Sequence, residues 1–137
     1  MKWKKTRPII RQAYLEHVLT IRKLRGGVFY AVHAESKEYI TLTGASIVKA
    51  LSQKAVGNYR AFISIDGLNS SEERRIKAEL KRYRIPYRRV SGTRDEASAC
   101  IRLADAIAGF IRDYAEGEAY TKELFHRLEQ AGIIQKI

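Results

Sequence analysis

Apolar side chains recur along this chain in two rhythms, one suited to helices and one to buried strands. Ile10, Ala13, Tyr14, Val18, Ile21 and Leu24 keep the spacing of a helix that buries one face, with Thr6 as a cap, Pro8 in the first turn and Gly26-Gly27 as the stop. Val28 to Ala34 is a nearly unbroken apolar run, rich in β-branched and aromatic residues, that predicts a strand covered on both faces. After a turn at Glu35–Glu38, Tyr39 to Leu42 predicts a short strand, and Thr43 caps a predicted helix from about Gly44 to Val56. Arg60 to Ile65 is the second clear strand, ending at Asp66-Gly67.

The second half is mostly helical. Ser70 and Glu73 are spaced as a capping box ahead of a helix from about Ser71 to Tyr83, whose apolar stripe is narrow: Ile76, Leu80 and Tyr83. Pro86 ends the following connection, and Tyr87 to Val90 predict a short strand. From Arg94 to Tyr114, small and apolar residues at Ala97, Cys100, Ile101, Ala104, Ile107, Ala108 and Ile111 mark a long amphipathic helix. Tyr120, Leu124, Leu128 and Ala131 mark a last one, and the apolar tail Ile133, Ile134 and Ile137 is expected to dock on the core. Alternating strands and helices over residues 1–137 predict a single three-layer α/β domain with a largely parallel sheet.

Charge changes this picture more than composition does. The chain carries 26 Lys and Arg against 15 Asp and Glu, a net charge of +11. Residues 1–26 hold eight cations against one Glu and residues 70–94 hold nine against three, whereas residues 95–137 hold five against eight acids. Positive charge segregated in this way favours a polyanionic partner, nucleic acid first, because clustered Lys and Arg release counterions from phosphates. Lys2, Lys4, Lys5, Arg74, Arg75, Lys81, Arg82 and Arg94 are the expected contacts; Trp3 suits either stacking on bases or docking the N-terminal segment. The bland counterpart is a solvated surface rich in ion pairs. No run reaches the roughly 20 apolar residues that a membrane helix needs, and no apolar signal core follows MKWKKTRP, so no membrane partner and a cytoplasmic location are expected. The lone Cys100, on the apolar stripe, reads as a small core residue.

The chemistry on offer is that of carboxylates. The P-loop, Gly-x-Gly-x-x-Gly, Gly-x-Ser-x-Gly and Cys-x-x-Cys patterns are missing, and His17, His33 and His126 lack metal-ligand spacing. Asp66 falls at the carboxyl end of a strand, where open α/β sheets place their sites, although Asp-Gly is equally a turn dipeptide. Asp105 lies beside the apolar face of the long helix and needs a partner: Arg102 or Arg112 one turn away, a metal ion, or a catalytic neighbour. Asp95 and Glu96 fit the helix dipole at the first turn and are also potential ligands. Oxygen ligands converging on a sheet rim suit Mg²⁺ or Mn²⁺.

AFISIDGLN and RDEASACIRLADAIAGFIRD, with the signature Leu103-Ala104-Asp105-Ala106-Ile107-Ala108-Gly109, resemble the C-terminal half of the ribonuclease-H-like proteins grouped as domain of unknown function 3800. The basic start KWKK followed by a helix is similar to the segment after that family's Glu-hydrophobic-Lys motif. The resemblance implies a ribonuclease-H-like mixed or parallel sheet flanked by helices, and a metal-dependent nuclease in which Asp66 and Asp105 hold Mg²⁺ or Mn²⁺ and hydrolyse phosphodiesters. The family's opening strand, of the type Tyr-Ile-Asp-Glu-Ser-Gly, is absent, and its Glu would fall at or before Met1. A truncated or inactive relative is therefore expected, with an exposed sheet edge open to a homo-oligomer. Its rivals are a non-catalytic nucleic-acid-binding module and a self-associating structural subunit.

Overall fold

The computed structural model describes residues 3–33, 37–54, 57–92 and 99–137. Those residues form a mixed α/β structure with five α-helices and four short strands that pair in parallel as two two-stranded sheets. The chain divides into two compact units: Met1–Tyr30 with Arg102–Lys136, and Ala31–Ile101 with Ile137. No helix among the described residues is long and apolar enough to cross a membrane.

The first unit closes the two ends of the sequence on each other. Helix α1 (Pro8–Leu19) begins with Pro8 in its first turn, as expected, but Arg7 rather than Thr6 holds the N-cap position. It also stops earlier than its apolar spacing predicts. The Thr20 hydroxyl donates to the His17 carbonyl at 2.6 Å, a local bond that competes with helix propagation, and Ile21 turns extended before a 3-10 turn at Arg22–Leu24. Strand β1 (Val28–Tyr30) is the start of the predicted Val28–Ala34 run. It pairs in parallel with strand β4 (Ile134–Lys136), Val28 opposite Ile134, so the predicted apolar tail is a strand.

Helices α4 (Ala99–Ala115) and α5 (Thr121–Gln130) complete this unit. Leu15 and Val18 of α1, Ile107 and Phe110 of α4, and Leu124 and Leu128 of α5 form its core with Ile133 and Ile134. Phe125 of α5 stacks on Tyr114 at 3.9 Å and meets Tyr30 of β1 edge-on at 6.3 Å, which ties the helix pair to the strands. An exposed bidentate pair, Arg127 to Glu16 at 2.6 and 2.9 Å, bridges α5 and α1. It holds the Glu16 carboxyl below its ordinary range and contributes little to stability at such exposure. Cys100 is exposed, not a core residue as expected. It lies ahead of Arg102, where the part of α4 belonging to this unit begins. Residues 94–98, predicted as the start of this helix, lie outside the described residues.

The second unit is built on α2 (Tyr39–Lys54), β2 (Ala61–Ser64), α3 (Ser70–Arg82) and β3 (Tyr87–Ser91). Tyr39–Leu42, predicted as a strand, is the first turn of α2. Packing overrides the β-branched propensity here: Ile40 is buried with Ile76, Leu80 and Val90, and the Thr43 hydroxyl donates to the Tyr39 carbonyl one turn back. β2 and β3 pair in parallel, with a bulge between Ala61 and Phe62, across the α3 crossover. The capping box sits one residue before its predicted place. The Asn69 carboxamide oxygen accepts from Glu72 N–H at 2.8 Å, and the Glu72 carboxylate accepts from Asn69 N–H at 3.1 Å.

Gly92, just after β3, sits hard against the loop that follows β2. A Cβ there would lie 2.0 Å from the Leu68 carbonyl oxygen, a backbone atom that cannot swing away. Gly92→Ala is therefore expected to destabilise the protein by ~2 kcal/mol, read as a lower urea midpoint at unchanged helical content.

Candidate nucleic-acid interface

Among the described residues the buried carboxylate is Asp113, not Asp105. Asp113 is 5% exposed and accepts three hydrogen bonds: from Trp3 Nε1 at 3.0 Å, from Arg11 Nη1 at 3.0 Å and from the Tyr120 hydroxyl. Arg11 also donates to the Trp3 carbonyl, from Nη2 at 2.7 Å and Nε at 3.2 Å, so one guanidinium clamps both the ring's partner and its backbone. Burial, and then the bond to the Asp113 carboxylate, push the Tyr120 phenol well above its ordinary range, so it remains a donor. Trp3 itself is buried on Gly109, where a Cβ would fall 2.2 Å from its ring. Of the two roles open to Trp3, docking is the one observed.

This anchoring sets the neighbouring 3-10 turn, Trp3–Lys5, beside α4. Lys4, Lys5, Asp105, Ala108, Gly109 and Arg112 line a groove of about 500 Å³ with Trp3 at its base. Ala108 and Gly109 keep its floor low. Lys4 and Lys5 are exposed, as expected, and Asp105, half-buried, lines the same groove as they and Arg112 do. Three cations around one carboxylate make the groove net positive, an environment that suits a phosphate.

A second basic surface lies on α3. Arg74, Arg75, Lys81 and Arg82 are all exposed, as are Arg84, Arg88 and Arg89 in and before β3. The three acids of α3 are turned to structural work. Glu72 caps the helix and accepts from the Tyr39 hydroxyl, Glu73 accepts from Gly92 N–H at 3.0 Å, and the Glu79 stem packs over Gly44 of α2. The Tyr39 bond holds the Glu72 carboxyl below its ordinary range, which keeps it charged in its cap. The outer face consequently carries Arg74, Arg75, Lys81 and Arg82 with no acid among them.

Asp66 is exposed in the turn after β2 and belongs to the second unit, whereas Asp105 belongs to the first. Among the described residues no group of three or more His, Cys, Asp or Glu side chains could hold a metal ion. Lys2, Arg94, Asp95 and Glu96 lie outside the described residues. His33 is exposed and reaches Ser46 Oγ at 3.5 Å.

Sequence reasoning passed over Asp113 because the Leu-Ala-Asp pattern draws attention to Asp105. A signal was present. Asp113 is three residues after Phe110, four after Gly109 and seven after Ala106, which puts it inside the apolar arc, whereas Asp105 and Arg112 fall on its edge. No family model, curated protein or solved structure matches the chain.

Asp113→Asn keeps the shape but leaves the Arg11 charge without its counter-ion. A loss of ~2 kcal/mol is expected, discounted from a fully buried pair for the residual exposure of Arg11. Trp3 is the sole tryptophan, so the same variant should red-shift the intrinsic emission in buffer; an unmoved spectrum would show the ring held by packing alone.

Proposed function

We propose that this protein binds nucleic acid through exposed cationic side chains. The observation that carries the reading is the outer face of α3, where Arg74, Arg75, Lys81 and Arg82 are exposed while every acid of that helix is engaged on its inner side or at its cap. The Lys4, Lys5 and Arg112 groove gives the first unit a basic surface of its own. Phosphate contacts of this kind need no metal and supply affinity by counterion release.

A second reading, a metal-dependent nuclease related to the ribonuclease-H-like proteins, is supported by Asp66 at the carboxyl end of the parallel strand β2. Mg²⁺ and Mn²⁺ ordinarily draw on several oxygen ligands, and neither unit by itself assembles such a set from its described residues. Asp105, moreover, shares its groove with three cations, which oppose a divalent ion. This reading requires Mn²⁺-dependent cleavage of labelled DNA or RNA that is lost in Asp105→Ala.

The binding reading is tested by fluorescence anisotropy of labelled oligonucleotides across a salt series. Wild-type affinity should fall steeply with salt, and replacing Arg74, Arg75, Lys81 and Arg82 together by Ala should reduce the log–log slope by ~3 at unchanged circular dichroism. Salt-indifferent binding, or a slope equal in both proteins, would overturn it.

A further inference from the structure

Resting on the nucleic-acid reading, we infer that α3 is built to enter the major groove of duplex DNA, with Ser71 and Ala78 facing the base edges and two pairs of cations reaching the phosphates on either side. The inference comes from the order of residues around the helix. At ~100° per residue, Ser71 and Ala78 share one line along the axis, directly opposite the buried Ile76 and Leu80. Arg74 and Lys81 project about 60° to one side of that line, and Arg75 and Arg82 about 40° to the other. Both pairs are spaced by seven residues, or ~10 Å along the helix.

Helix propensity accounts for Ala78 and the first turn for Ser71, but rows of long cations flanking both of them on either side are the arrangement that a groove calls for. The small line permits close approach to the floor, and the two rows of Lys and Arg meet the two phosphate walls. With side chains a helix is ~10–12 Å across, which matches the ~12 Å width of the B-form major groove and exceeds the ~6 Å of the minor groove. The major groove of A-form RNA is too deep and narrow to admit it. A single strand offers one phosphate wall rather than two. The Ser71 hydroxyl can donate to or accept from a base edge, and the Ala78 methyl suits a thymine methyl.

The experiment measures anisotropy with a 20-base-pair DNA duplex, the RNA duplex of the same sequence, each single strand, and the DNA duplex with glucosylated hydroxymethylcytosine in place of cytosine. The glucose fills the major groove and leaves phosphates and minor groove in place. Unmodified duplex DNA should bind at least ~10-fold tighter than duplex RNA or the glucosylated duplex. The exposed Ala78→Trp, which widens the outer line without touching the core, should weaken unmodified duplex binding by a similar ~10-fold factor while single-strand binding holds. Equal affinity for the plain and glucosylated duplexes, or tighter binding to RNA or to a single strand, would overturn this inference and leave the general binding reading standing. Absence of salt-sensitive binding to every probe would overturn both.

Discussion

The carboxylate of Asp113 is the point on which the first unit depends. A buried charge is stable only when it is hydrogen-bonded, and here an indole, a guanidinium and a phenol all donate to its Oδ2. The N-terminal turn is thereby tied to α4, α1 and the start of α5 at once. Gly109 makes the arrangement sterically possible, because any side chain there would occupy the space of the Trp3 ring. The Leu-Ala-Asp signature that suggests a catalytic helix thus ends in a glycine with a packing role.

The second unit depends on a different constraint. Parallel strands cannot be joined by a tight turn, so β2 and β3 need a crossover, and α3 provides it. Its inner stripe, Ile76 and Leu80, is only as wide as that packing requires. The rest of the helix circumference is left to solvent or to a ligand, and it is there that the cations are placed. Packing and positive charge are thus divided between opposite faces of one element, so substitutions on the outer face can change its charge with little effect on folding.

The two carboxylates that the resemblance singles out sit in different surroundings, one in each unit. Asp66 heads a turn, and Asp105 sits in a cationic groove with Lys4, Lys5 and Arg112. A lone carboxylate among three cations lowers the net charge of this groove without abolishing it.

The sequence by itself determined where most helices fall, because their amphipathic period is a local property: α1, α3, α4 and α5 lie within the stretches marked by Val18, Ile76, Ile107 and Leu124, though α1 ends short of its predicted stop. It determined the character of α3 as well, since five cations against three acids in Ser70–Arg82 leave that helix basic however it packs. Tertiary structure decided what local pattern cannot encode. It chose β4 from the far end of the chain as the partner of β1, and it made a helix of Tyr39–Leu42 by burying Ile40. It also chose Asp113 over Asp105 as the buried charge, because the cost of burying a carboxylate is offset only by donors that folding brings from Trp3, Arg11 and Tyr120, up to 110 residues away.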